Sequence, residues 1–167
     1  MTYEIAICDD EEKQRTYMKS LVERWLHQTF HHAQIREYAS SEQFLFEQAD
    51  VMTQILFLDI EMEKMDGIAL AKEIRKHNRQ MQIIFVTGYM EYIQEGYDVD
   101  ALHYLLKPVS QEKTDSVLER AVERLKTADA VLFVESSGEL TRIPLHEIRY
   151  IESNRNYNII HADNDYE

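Results

Sequence analysis

Residues 55–61 read ILFLDIE: four apolar residues run directly into a carboxylate, Asp59, and a second acid, Glu61, follows two positions later. A strand with one wet face alternates apolar and polar residues. An unbroken apolar run of four or five is instead the pattern of a strand buried on both sides, as in the middle of a parallel sheet covered by helices. An ionisable group that closes such a run belongs at the strand's mouth, where the core gives way to solvent.

The flanking sequence supports that sheet. YEIAIC (3–8) is a second strand-like run, and the segment 11–28 after it places Tyr17, Met18, Leu21, Val22, Trp25 and Leu26 at helical spacing. AQIREYA (33–39) alternates as a strand, and Ser40 or Ser41 can cap a short helix through Ala49 by accepting from its first backbone N–H groups. Beyond Asp59, Asp66 is placed to cap a helix over 67–77, whose Ile68, Leu70, Ala71 and Ile74 form one apolar side. MQIIFVT (81–87) reads as the fourth strand, 89–97 as a short helix, HYLLKP (103–108) as the fifth strand and 110–127 as a closing helix. Five β-then-α steps predict an α/β domain, a doubly wound parallel sheet with helices on both faces.

Composition excludes several classes. With 167 residues and 44% hydrophobic content the chain can bury a substantial core. Its apolar runs are strand length, and the N-terminus has neither a basic flank nor an apolar signal core, which predicts a cytoplasmic protein with no membrane contact. The lone Cys8 has no partner for a disulfide and reads as a small core residue. A net charge of −13 opposes nonspecific binding to nucleic acid or anionic lipid. His31 and His32 lie in a polar loop without further ligands at a useful spacing, so solvated histidines are expected there rather than a metal site. Met62 and Met65 are expected to pack beneath the loop after the third strand.

In an open α/β sheet the functional crevice lies beyond the carboxyl ends of the strands. The first strand ends in Asp9 and Asp10, the third in Asp59, the fourth in Thr87 and the fifth in Lys107 and Pro108. Three converging carboxylates raise each other's pKa unless a cation is present, and a hard divalent ion resolves the conflict. Mg²⁺ fits best, because it takes oxygen ligands and bridges a carboxylate to a phosphate. With a lysine and a hydroxyl opposite, the set suits phosphoryl transfer to an aspartate.

Asp9-Asp10, Asp59, Thr87 and Lys107-Pro108, each at a strand end, together with MDGIALAKEIRK (65–76), closely resemble the receiver domain of bacterial two-component response regulators over residues 3 to about 125. The resemblance implies a flavodoxin-like sheet of order 2-1-3-4-5 and Asp59 as the phosphoacceptor from a sensor histidine kinase. It also implies Mg²⁺ held by Asp10, Asp59 and the backbone carbonyl of Glu61, with Asp9 acting through water, and a cis bond before Pro108. Thr87, Lys107 and the switch aromatic Tyr104 would respond to the phosphoryl group, with homodimerisation as the usual consequence. Tyr89 and Glu61, each two residues beyond a site residue, are expected to set the lifetime of the phosphorylated state.

After Ala128 the pattern becomes all-β, which divides the chain into 1–127 and 128–167, the latter with three strand-like runs, a turn at SSGE and a polar loop at SNRN. IPLHEIRYIESNRNYNIIHAD (143–163) resembles the opening of a LytTR-type DNA-binding domain. The resemblance makes Asn154, Arg155 and Asn156 candidate DNA contacts. Residues 128–167 hold three basic and eight acidic side chains, a net of −5, which is poor footing for a polyanion. DNA binding is therefore expected only in a complete protein, of which this chain would be a truncated form.

Two other readings stay open. Haloacid-dehalogenase-like phosphatases also use a strand-end aspartate with magnesium, and Asp59-Ile60-Glu61 superficially matches their paired acids. They need an aspartate at the second position and a small hydroxyl residue soon after, whereas Glu61 and then MEK stand here. The third reading is a phosphorylation-independent interaction module of receiver fold, which would leave the complete acidic set unexplained.

Overall fold

Ile55–Asp59 is the central strand of a five-stranded parallel sheet, and all five of its residues are buried. At roughly 2 kcal/mol for each large apolar side chain removed from water, the ILFL run is a main source of the sheet's stability. The computed structural model describes residues 2–48, 51–89, 99–128, 130–136, 139–155 and 157–163. Contacts divide the chain into two compact units, Met1–Ala121 and Val122–Glu167.

In the first unit the strands are β1 (Thr2–Cys8), β2 (His32–Tyr38), β3 (Ile55–Asp59), β4 (Gln82–Thr87) and β5 (His103–Leu106). The helices are α1 (Glu12–Thr29), α2 (Ser41–Glu47), α3 (Gly67–Arg75) and α4 (Gln111–Ala128), the last of which runs on into the second unit. The sheet order is β2-β1-β3-β4-β5, with every neighbouring pair parallel, as expected from the sequence. The order reverses between β1 and β3, so the crevice of an α/β sheet opens where Cys8 and Leu58, paired in register, are each followed by an aspartate.

Local chemistry accounts for most boundaries. Ser40 caps α2 by accepting from the Gln43 N–H, and Asp66 caps α3 by accepting from the Ala69 N–H at 2.7 Å. α3 ends at Arg75, two residues before the expected His77. The Asn78 side-chain oxygen accepts from the Gln80 and Met81 N–H groups, which draws the chain into a turn. β5 stops at Leu106 because Pro108 has no N–H to continue the ladder. The short helix expected over 89–97 falls, from Met90 on, outside the described residues.

α1 ends on Phe30, a residue 88% exposed, in the left-handed conformation (φ 56°, ψ 25°). That conformation favours glycine. Phe30→Gly is therefore expected to stabilise the protein by about 1 kcal/mol, read as a higher urea midpoint with an unchanged slope. His31, beyond it, is not the freely solvated side chain expected from its loop. Its ring sits 5.1 Å from Trp25 and 5.6 Å edge-on from Tyr3, because the start of β1 and the last two turns of α1 present two aromatics at that corner.

The second unit holds two antiparallel hairpins, β6 (Val131–Ser136) with β7 (Glu139–Pro144), and β8 (Ile148–Ser153) with β9 (Asn158–Ala162). Three strand-like runs were expected, and four strands form. Pro144 cannot donate to a ladder and ends β7, and a 3-10 turn over Leu145–Glu147 restarts the chain as β8.

Candidate functional site

β1 delivers Asp9 and Asp10 to the carboxyl end of the sheet. Asp9 is buried, its Oδ1 accepts from the Glu11 N–H at 2.9 Å, and its backbone carbonyl accepts from Arg15 Nη1 at 2.7 Å. Asp10 is exposed, and its Oδ2 accepts from the Glu63 N–H at 3.3 Å across the crevice. Asp59, the last residue of β3, is 3% exposed. The three aspartates each offer a carboxylate oxygen within 4.8 Å of the other two.

The fourth group is Lys107. Its Nζ lies 2.9 Å from Asp9 Oδ2 and 3.2 Å from Asp59 Oδ2, and so bridges the two buried acids. The Lys107 backbone N–H donates to the Thr87 carbonyl at 2.8 Å, which ties the end of β5 to the end of β4. The Lys107–Pro108 bond is cis. Thr87 is buried, and its hydroxyl oxygen accepts from the Tyr89 N–H at 3.1 Å. Tyr104 pairs with Phe85 across β4 and β5, their rings stacked at 5.1 Å.

The electrostatics follow from this packing. Burial pushes the Asp59 carboxyl up to about 6; Lys107 pulls it back and the Asp9 charge pushes it further up. Burial alone would lower Lys107, but its bonds and attraction to Asp9 and Asp59 outweigh that and hold it above its ordinary value. Burial also pushes the Cys8 thiol up to about 12, with Asp9 and Asp59 adding to the effect. Cys8 is thus a neutral core group whose Sγ lies 3.7 Å from Met62 Sδ, beneath the loop where that methionine was expected.

Three acids against one lysine leave the cluster net negative. Asp59 Oδ1 is buried without a protein hydrogen-bond partner, and a buried acceptor in that condition is costly. An oxygen-seeking divalent cation answers both features, so the residues fit Mg²⁺, which Asp9, Asp10 and Asp59 could hold between them. Glu61 is exposed, and its backbone N–H opposes the rise of the Asp59 carboxyl pKa.

Two supports were not singled out by the sequence reading. Arg15 holds the Asp9 carbonyl from one turn into α1. Gly67 lies so close to β3 that a Cβ there would meet the Asp59 carbonyl oxygen at 2.1 Å; a glycine directly after the capping Asp66 was the available signal. The candidate DNA contacts lie in the second unit. Asn154 and Arg155 are exposed, and Asn156 lies outside the described residues. The Asn154 side chain bonds within its own turn, to the Tyr157 hydroxyl and the Arg155 N–H.

Comparison with known proteins follows the same outline. Residues 5–119 match the family model described as the response regulator receiver domain. The chain is 30% identical over 116 residues to the sensory transduction protein LytT of Bacillus subtilis, an alignment covering 70% of this chain and 46% of that protein. It is 33% identical over 130 residues to the accessory gene regulator protein A of Staphylococcus epidermidis, covering 73% and 55%. The chain thus spans about half the length of the curated relatives it matches. Among solved structures, the response regulator protein TrrA of Thermotoga maritima, solved in complex with Mg(2+)-BeF, superposes with a TM-score of 0.62 at 23% identity, covering 71% of this chain and 98% of that one. The fold, the strand-end acids and the family match converge on one conclusion: the chain belongs to the response regulator receiver domain family and is related to LytT and accessory gene regulator protein A.

Proposed function

We propose that Asp59 is the phosphoacceptor of this regulator, charged by a sensor histidine kinase with Mg²⁺ present. The observation that carries this reading is the bridged Asp9–Lys107–Asp59 cluster with one orphaned Asp59 oxygen. An Asp59 carboxylate oxygen attacks the phosphorus of a phosphohistidine; the P–N bond breaks, and the electron pair and a proton go to the imidazole. Asp10, Asp59 and the Glu61 carbonyl would hold Mg²⁺, with Asp9 acting through water, and the ion would offset negative charge on the transferred group. Lys107 Nζ is positioned to exchange its bond to Asp59 Oδ2 for one to a phosphoryl oxygen, and the Thr87 hydroxyl to donate to another.

Drawing Thr87 inward would free space for Tyr104, and the β4–β5 face would change with it. Homodimerisation is the expected consequence. Output would be transcriptional control through a LytTR-type DNA-binding domain, of which residues 128–167 would be the opening part and Asn154, Arg155 and Asn156 candidate contacts. Residues 1–127 and 128–167 remain the proposed functional division, in a cytoplasmic protein without membrane contact. Among the described residues no helix is long and apolar enough to cross a membrane. The relatives are regulators, and self-phosphorylation with slow loss of the group is the only chemistry proposed. Tyr89 and Glu61 flank the approach of water, so exchanging either residue is expected to change the dephosphorylation rate; an unaltered rate in both variants removes them from that role.

The test is light scattering of the chain with acetyl phosphate and Mg²⁺. A shift from monomer to dimer that is absent in Asp59→Asn supports the reading. A phosphoryl adduct without a size change places the output outside this chain, and the absence of both favours a phosphorylation-independent interaction module.

A further inference from the structure

Helix α3 is fastened at both ends to parts of the receiver unit that matter for the switch. At its start the Gly67 N–H donates to the Ile60 carbonyl at 3.0 Å, and the Gly67 Cα lies against the Asp59 backbone with no room for a Cβ. At its end the Arg75 guanidinium makes three bonds: Nε to the Val99 carbonyl at 2.7 Å, Nη1 to the Asn78 carbonyl at 3.0 Å and Nη2 to the Asp100 carbonyl at 3.2 Å. Burial lowers the Arg75 pKa, with Asp100 opposing. Arg75 is thus a partly desolvated cation whose bonded partners among the described residues are backbone carbonyls, an arrangement that favours fixed geometry over attraction between charges.

Two of the carbonyls it holds, those of Val99 and Asp100, lie at the entrance to β5. Asp100 takes the left-handed conformation (φ 47°), Val99 is buried in the core, and the Leu102 N–H donates to the Ile83 carbonyl at 2.7 Å. Tyr104 and Lys107 follow within eight residues of Val99. Between the two fastenings α3 is a nine-residue helix, about 14 Å long, whose Ile68, Leu70, Ala71 and Ile74 are locked into the core. A helix packed in this way moves as a body rather than bending.

We propose that α3 acts as a strut, with Arg75 as a positioning residue that holds the entrance of β5 in register with the Asp59 backbone. A displacement of the β3–α3 loop is then felt at Val99 and Asp100, separately from the side-chain route through Thr87. This inference rests on the reading of Asp59 as phosphoacceptor. The tether itself is a property of the unphosphorylated protein and can be tested without that reading.

The experiment is amide hydrogen exchange on the full chain, comparing wild type, Arg75→Met and Arg75→Lys, with and without acetyl phosphate and Mg²⁺. Without phosphodonor, exchange over residues 99–106 is expected to rise about tenfold in Arg75→Met, with a smaller rise in Arg75→Lys and unchanged rates in β1 and β3. With phosphodonor, wild type is expected to change its protection over 99–106, and Arg75→Met to form the same adduct without that change. Unchanged exchange over 99–106, or a uniform rise across every strand, would overturn the tether. An adduct in Arg75→Met that alters 99–106 as in wild type would overturn the strut. Absence of the adduct in wild type would count against the phosphoacceptor reading alone.

Discussion

Gly67→Ala is expected to destabilise the protein by about 3 kcal/mol, a large cost for one methyl group. An alanine normally gains on a glycine in a helix, so the direction is set by contact. The added Cβ would lie 2.1 Å from the Asp59 carbonyl oxygen, 2.9 Å from its carbonyl carbon and 3.0 Å from the Ile60 Cα. All three are backbone atoms, so no rotamer change relieves the clash. Either α3 leaves the sheet, giving up the burial of Ile68, Leu70 and Ile74, or the end of β3 shifts and carries Asp59 with it. Urea unfolding measures the first consequence and the rate of adduct formation the second. Gly88→Ala serves as the control, because nothing lies within 4 Å of a Cβ there.

Asp59→Asn has the opposite sign. In magnesium-free buffer at pH 7 it is expected to stabilise the protein by about 3 kcal/mol, although it removes an ion pair with Lys107. A carboxyl held at about 6 instead of 3.8 corresponds to that energy once both states are ionised. Because the folded value is the raised one, the favourable contribution of the protonated group is fully present below pH 4 and is lost as pH rises through 6. The ionised acid is therefore a burden on the native state at neutral pH. Lys107 keeps its 2.9 Å bond to Asp9 in the variant, so no buried cation is stranded. The gain in urea midpoint should shrink toward zero near pH 4 and also shrink when Mg²⁺ is added to the wild type. A midpoint equal to or below that of wild type at pH 7 would show that burial of Asp59 is not costly.

These two positions also show how far the sequence could be read. Asp59 was legible because an acid at the end of ILFL has few places to go in a parallel sheet, and Asp9, Asp10, Thr87 and Lys107 followed by asking what the other strands end in. The order of the five strands came from the resemblance to receiver domains that those residues carry. Gly67 was not legible as a contact, because its importance lies in a neighbour that is distant along the chain. The Arg75 tether was hidden for the same reason: its acceptors are backbone carbonyls, which carry no side-chain signature. The extra strand in the second unit was missed because LTRIPLHEIRYIE reads as one strand-like run unless Pro144 is given its full weight as a residue that ends a ladder. His31 looked polar by composition, and only the approach of Tyr3 and Trp25 makes it part of an aromatic corner.

The most direct test of the central claim is intact-mass measurement of wild type and Asp59→Asn after incubation with acetyl phosphate, each with and without Mg²⁺. A single phosphoryl adduct that maps to Asp59, requires Mg²⁺ and is absent from the variant is the result predicted here. An adduct that persists in Asp59→Asn, or forms equally well in magnesium-free buffer, would contradict the assignment of the Asp9–Asp10–Asp59–Lys107 cluster as the phosphoacceptor site.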